Sequence, residues 1–417
     1  MKEQMNIKVG SILVFPMLLT GEIQKIRNWG EKCTIETPDL SIGVKEMFTN
    51  KKNPLAEVFR IKASEVNYGI FGNQTDYELI LDKEENDRLK IGDLVIYCFH
   101  TGLVFACLTV RYTRLELMQK ICHPGYATGD CVYSLSGNEG QIFLEKQLES
   151  WLASIGLKSF YGKESLFLEA FIYNVAVFQK RFKTLDEMHR ITYNMHLMAP
   201  LEQVDDDVSE EDVDYVYAVK DQELKTFRWG CCISSQTISY CMANESLAFS
   251  EEMEAQIQDG LPVVILALYE KYTCLHFGRI LSDQEKKRVK KIKILKREML
   301  QFRAYGTVTP AVISRWHNVR RIYEHLLEFL GVPEAIEELS DKLEMLSNAQ
   351  KEMEDTRTQA VMSGITIFGL ISILDSVLSI YEVLSVGSSA EWQLIRLAIG
   401  ALLLSMGLFW IFSRDNK

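Results

Sequence analysis

Asp375 lies within an apolar run, Ala360 to Leu384 (AVMSGITIFGLISILDSVLSIYEVL), that contains no Lys or Arg. A carboxylate inside such a run is costly unless it meets water, an ion or a partner, so it marks a functional-site candidate. Gly369, Ser372, Ser376 and Ser379 recur at intervals of three and four, which places them on one helix face with Asp375 beside them and Glu382 beyond Ser379. In a symmetric assembly Asp375 would form a ring; carboxylate rings favour cations, and flanking hydroxyls replace part of an ion's hydration. The six residues are read as pore-lining and Asp375 as the metal contact, with a divalent cation as transported ion rather than cofactor. In the competing reading Asp375 is protonated or paired with Arg396, and the serines only allow close helix packing.

A second group of chemistry-bearing residues is the basic run Lys286, Lys287, Arg288, Lys290, Lys291, Lys293, Lys296 and Arg297. It suits a nucleotide, lipid headgroups or an acidic partner surface, and equally a solvated helix face. The acidic run Val204 to Asp214 lacks the glycine and spacing of a calcium loop and reads first as a solvated loop or helix end. Gly156, Gly162 and Lys163 approximate a phosphate loop, but the spacing is one residue too long and Glu164 replaces the required hydroxyl. The histidines show no metal-ligand spacing, and no nucleophile-elbow or dinucleotide motif occurs. The chain is not expected to be an enzyme.

These residues need elements to position them. Ala360–Leu384 is long enough to cross a hydrocarbon core of about 30 Å, and so is Trp392–Phe412, which the short link SVGSSAE joins to it. A transmembrane hairpin follows, with residues 413–417 as a tail. Lys351 and Arg357 precede the first span, Arg414 and Lys417 follow the second, and the link has no basic residue. Both termini are therefore expected in the cytoplasm of a multi-pass inner-membrane protein. From Pro333 to Met353 the residues Ile336, Leu339, Leu343, Leu346 and Met353 keep heptad spacing, which predicts a stalk over residues 309–359 that packs on sister subunits or on the chain's own helices. Ahead of it, Thr309 to Leu330 reads as one amphipathic helix with Ile313, Trp316, Val319, Ile322, Tyr323, Leu326, Leu327 and Leu330 on its apolar face.

The chain has 417 residues, 47% hydrophobic and 25% charged, at formal net charge −11. That composition suits a folded body with a local membrane segment, and the negative charge argues against duplex nucleic acid as a partner. Nine scattered cysteines suit a reducing compartment. Residues 1–300 are predicted as an α/β domain with a mostly antiparallel sheet. Val9–Leu19, DLVIYCF, GLVFACLTVRY and TFRWGCCISSQTISYCM read as strands, and LEKQLESWLASIG, ESLFLEAFIYNVAVFQKRF and VVILALYEKYTCLHFGRIL as helices.

From Glu298 to Lys417 the chain resembles the CorA family of divalent-cation channels. The likeness is carried by QFRAYGTVTPAVISRWHNVRRIYEHLLEFL, the stalk, the TQAVMSGITIF entry into the first span, and Ile380 with Tyr381 at its end. It implies an α/β cytoplasmic domain, a long helical stalk, a two-helix transmembrane hairpin and a homopentamer transporting magnesium or another divalent metal. Where the family follows its tyrosine with Gly-Met-Asn, Tyr381 is followed by Glu382, Val383 and Leu384, so the asparagine of the magnesium filter is absent. CorA-like proteins without that signature also serve as effectors in type III CRISPR antiviral defence, triggered by a nucleotide messenger. A pore-less tail-anchored scaffold is the third expectation.

Overall fold

The computed structural model describes residues 7–50, 54–73, 78–82, 87–122, 132–135, 138–162, 165–179, 181–201, 209–218, 228–246, 248–284 and 289–384. These fall into two compact units, one reaching to residue 284 and including 297–339, the other comprising 289–296 and 340–384.

The first unit is an α/β body. Its twelve described strands are β1 (Ile7–Leu19), β2 (Glu31–Cys33), β3 (Ala56–Ile61), β4 (Glu78–Asp82), β5 (Asp87–Phe99), β6 (Leu103–Tyr112), β7 (Val132–Leu135), β8 (Asn138–Phe143), β9 (Leu157–Ser159), β10 (Phe171–Phe178), β11 (Trp229–Ile233) and β12 (Thr237–Ala243). They form one sheet in the order β11-β12-β10-β1-β6-β5-β4-β7-β8, with β9 also on β1 and β3 bridging β2 and β5. Among the described strands only the β10–β12 pair is parallel.

The helices are α1 (Gln24–Arg27), α2 (Ile42–Thr49), α3 (Ala63–Phe71), α4 (Glu116–Cys122), α5 (Leu144–Ser154), α6 (Leu185–Leu197), α7 (Glu210–Val216), α8 (Phe249–Ala255), α9 (Leu261–Gln284), α10 (Val289–Gln301), α11 (Pro310–Ile313), α12 (His317–Phe329) and α13 (Val332–Leu384), with π turns at Gln256–Gly260 and Phe302–Gly306.

Val9–Leu19 is indeed strand, and its interior position explains its apolar composition. Pro16 sits where the β10 pairing has ended at Val14 and the β9 pairing has not begun at Met17, so its missing N–H costs no bond on that edge. Ser11 is fully buried and hydrogen-bonded: its hydroxyl donates to Asn174 Oδ1 at 2.6 Å and accepts from the Tyr112 hydroxyl at 2.6 Å. Asn174 Nδ2 donates onward to Ser239 Oγ and to the Met195 carbonyl. Ser11, Asn174 and Ser239 stand in register on β1, β10 and β12, so one polar row crosses the core with its groups satisfied.

Two expectations are corrected. FIYNVAVF is β10, not helix; all eight of its residues are buried, and an apolar run buried on both faces carries no periodicity to separate strand from helix. The helix expected from Thr309 to Leu330 breaks at Ser314, whose backbone is extended (φ −151°, ψ 154°) and whose Oγ accepts from Trp316 N–H at 3.0 Å. That local bond competes with the helical ladder. Trp316 is consequently 49% exposed, while Ile313, Tyr323 and Leu326 are fully buried. Gly331, at φ 64°, ends α12 as the sequence indicates.

Glu270 ties the helices of the body together. Its side chain, on α9, is 2% exposed, and Oε1 accepts from Val308 N–H and from the Tyr323 hydroxyl, both at 2.8 Å. Burial pushes its carboxyl up to about 7. The raised value means that the neutral form fits the fold best: this contribution is whole below the ordinary glutamate range and is lost as pH climbs through about 7, amounting to about 3 kcal/mol. Glu270→Gln keeps the acceptor and removes the ionisation. Thermal unfolding at pH 5 and pH 8 should show a fall in Tm for the parent protein that the variant lacks.

Candidate functional site

The stripe residues Gly369, Ser372, Asp375, Ser376, Ser379 and Glu382 lie on α13, a single helix of 53 residues. Among the described residues one helix is long and apolar enough to cross a membrane, Thr358–Ser379, with 22 residues at a mean hydropathy of 2.0. At about 100° per residue, Gly369, Ser372, Ser376 and Ser379 fall within about 80° of arc, and Asp375 lies about 40° past Ser379. Ile365 falls within the same arc, and Phe368 lies between Ser379 and Asp375, so the part of this face just before Gly369 is apolar.

Two of the three serine hydroxyls on this face are satisfied within the helix. Ser376 Oγ donates to the Ser372 carbonyl and Ser379 Oγ to the Asp375 carbonyl, each at 2.8 Å. Their protons are thereby engaged, and the helix carries no unmet hydroxyl donor at these two positions into an apolar medium. A Cβ added at Gly369 would meet nothing within 4 Å, which leaves room for another helix to approach. On the opposite face Leu370, Leu374 and Val377 are 56%, 45% and 57% exposed. Side chains of this kind gain about 25 cal/mol for each Å² taken out of water, so a long exposed row of them calls for lipid or protein cover.

The other sequence candidates fare unevenly. The second span at 392–412, Arg396 and the tail lie outside the described residues, as do Lys286, Lys287 and Arg288. Lys290, Lys291 and Lys293 are on α10. Further along that helix, Lys296 Nζ donates to Ser347 Oγ of α13 at 3.3 Å, and Leu295 and Leu343 are buried. Part of the heptad seam is therefore covered within a single chain. In the acidic run, residues 204–208 lie outside the described residues and 210–214 open α7. Ser209 caps that helix: its Oγ accepts from Asp212 N–H, while Asp212 Oδ2 accepts from Ser209 N–H. Acids in a first helical turn face the positive end of the helix dipole, which accounts for their type without a cation. Among the described residues no three metal-ligating side chains gather.

Sequence reasoning missed a cleft in the body. It is about 280 Å³ in volume and lies where β5 and β6 meet α8. The pairs Ile91↔Val110 and Leu94↔Leu108 enclose Gly92 and Asp93 on β5 against Thr109 alone on β6, a β-bulge. The bulge turns Asp93 toward Arg60, whose Nε donates to it at 2.7 Å, while both Arg60 terminal nitrogens donate to Glu254 at 2.6 and 2.7 Å. These bonds hold the Glu254 carboxyl below its ordinary range, so it stays an anion committed to Arg60. Beside this network Lys90 and Arg111 stand directly opposite each other across β5 and β6. The sequence signal for the pair was the short turn joining two strand-like runs. The bulge shifts the register that such a turn would set.

No protein-family model, curated protein or solved structure matches this chain. The likeness to the CorA family rests on the sequence motifs alone.

The exposed row on α13 gives a test of membrane insertion. Leu370→Arg, near the middle of the apolar segment, should cost about 3 kcal/mol of insertion free energy. The variant should move from the carbonate-resistant membrane fraction to the extractable one.

Proposed function

We propose that this chain is a membrane protein whose copies assemble, as a pentamer in the CorA arrangement, around a cation-conducting path lined by α13. The observation that carries the reading is the pairing, on one exposed apolar helix, of a carboxylate with oxygen-bearing side chains along a single face. Lipid would cover Leu370, Leu374 and Val377; the face carrying Gly369, Ser372, Ser376 and Ser379 would turn to the axis. Facing one another around that axis, the Asp375 carboxylates raise the local cation concentration, and the serine oxygens substitute for part of the water the ion sheds. Ile365 and Phe368, on the same face and nearer the stalk, form an apolar constriction that bars ions when dry.

With Gly-Met-Asn absent after Tyr381, selectivity in this reading comes from charge and hydroxyls and not from an asparagine filter. The path would therefore prefer cations over anions while discriminating modestly among divalent metals. The sides assigned by the basic flanks put the α/β body and the chain's tail in the cytoplasm.

Reconstituted liposomes test this. The parent protein should pass divalent cations, and Asp375→Asn should lower that flux by about tenfold, the factor that 1.4 kcal/mol represents. Asp375→Glu, which keeps the charge, should retain most of it. Liposomes as tight as protein-free ones would leave the scaffold reading instead, and a variant indistinguishable from the parent would remove Asp375 from the path.

A further inference from the structure

We propose that Glu270 is a proton-operated latch on residues 302–329, the stretch that leads into α13. With the carboxyl neutral the stretch is docked on α9; with the proton lost it lifts and admits water. The latch belongs to the body and is independent of ion conduction. Three segments meet at this one side chain. Glu270 is part of α9, the Val308 N–H that it accepts lies between the π turn and α11, and the Tyr323 hydroxyl is on α12. Gly331 then joins α12 to α13, whose Val332 and Leu339 are still buried in the same unit.

A buried carboxyl that faces no cation is a proton switch by its position, because burial disfavours the charged form and nothing opposes it. Among the described residues no lysine, arginine or histidine acts on Glu270. The titratable groups that feel its charge are Tyr269 and Cys274 on α9 and Tyr323 on α12. β5 and β6 bring only rings to this part of α9: Phe99 stacks on Tyr269, and Phe105 meets Tyr272 edge-on. The linking stretch brings the Val308 backbone and the Phe302 ring, which packs on Tyr269. Burial pushes Tyr269 and Cys274 up to about 12 and Tyr323 well above its ordinary value, so none of them changes charge between pH 6 and pH 8. Burial also holds His276 of α9 and His325 of α12 below the ordinary histidine range, out of the same window. Glu270, which burial pushes up to about 7, does titrate there. Two hydrogen bonds do not replace the hydration of an anion, so ionisation favours any opening that brings water to the carboxylate. The linking stretch is the weakest wall. It leaves the regular helical ladder at the π turn and at Ser314, and it carries Tyr305 and Val312, 76% and 57% exposed, whereas every residue of α9 from Leu261 to Glu270 is buried. Opening is therefore local and leaves the sheet intact.

Amide hydrogen exchange of the full chain in detergent micelles, read by mass spectrometry at pH 6 and pH 8, tests this. Protection of residues 302–329 is compared with that of α6 (Leu185–Leu197) in the same sample, which removes the intrinsic effect of pH. A carboxyl that titrates at about 7 when docked and at about 4.5 when released should lower the protection of residues 302–329 about tenfold between the two pH values and leave α6 unchanged. In Glu270→Gln that protection should be the same at both, a comparison that also subtracts the exposed His317 of α12. The proposal is overturned if the parent shows no fall over residues 302–329, or if Glu270→Gln keeps the parent's response. It is equally overturned if α6 falls in step, since ionisation would then loosen the whole body and not one stretch. The comparison within the parent decides the matter even where the variant does not fold. Cation flux enters none of these readings, so a failure of the proposed ion path leaves them unaffected.

Discussion

From Val9 to Met17 every residue of β1 is buried, and neither edge of the strand is open, because β6 occupies one side and β10 followed by β9 the other. A backbone enclosed in this way must have its ladder bonds made by neighbours in fixed register, since a shift by one residue would turn its buried side chains over and separate Ser11 from Asn174. That single requirement propagates. It places Gly10 opposite Arg111 on one side and aligns Ser11, Asn174 and Ser239 on the other. It also leaves β5 to accommodate the mismatch with β6 through a bulge at Gly92 and Asp93, which is what opens the cleft.

The body and the last helix meet the same demand for satisfied polar groups in different ways. In the body, buried polar side chains bond one another across strands, as in the Ser11 row, or across helices, as where Glu270 accepts from Val308 and Tyr323. On α13 the hydroxyls of Ser376 and Ser379 turn back on their own helix, an arrangement that needs no neighbour. Such a helix keeps its internal bonds whether lipid or protein covers it. A few buried groups of the body, the Thr109 and Thr273 hydroxyls among them, depart from both patterns.

The π turn at Phe302–Gly306 and the break at Ser314 belong to the same account. Tyr269, stacked on Phe99 at a centroid distance of 4.0 Å, and Glu270 fix α9 against the sheet on one side and against α12 on the other. The chain from α10 to α12 has to pass Val308 close to Glu270, and a regular helix through that stretch could not present the Val308 N–H to the carboxylate. Helical propensity in residues 302–316 yields to that bond and to the Ser314 side chain.

The apolar segment around Asp375, the long helix behind it, the α/β character of the body and the glycine stop at Gly331 were legible in the sequence, because each depends on composition or periodicity within one segment. The nature of Phe171–Phe178 was not, since a run buried on both faces looks alike as strand or helix. Nor was the break at Ser314, which arises from a side chain competing with the ladder. The meeting of Lys90, Thr109 and Arg111 was decided by tertiary structure alone: it depends on the register of two strands around a bulge, and register is set by what β1 and its neighbours must bury together. What a sequence determines by itself is what each segment needs from its surroundings; which other residues meet that need is settled only when the segments pack.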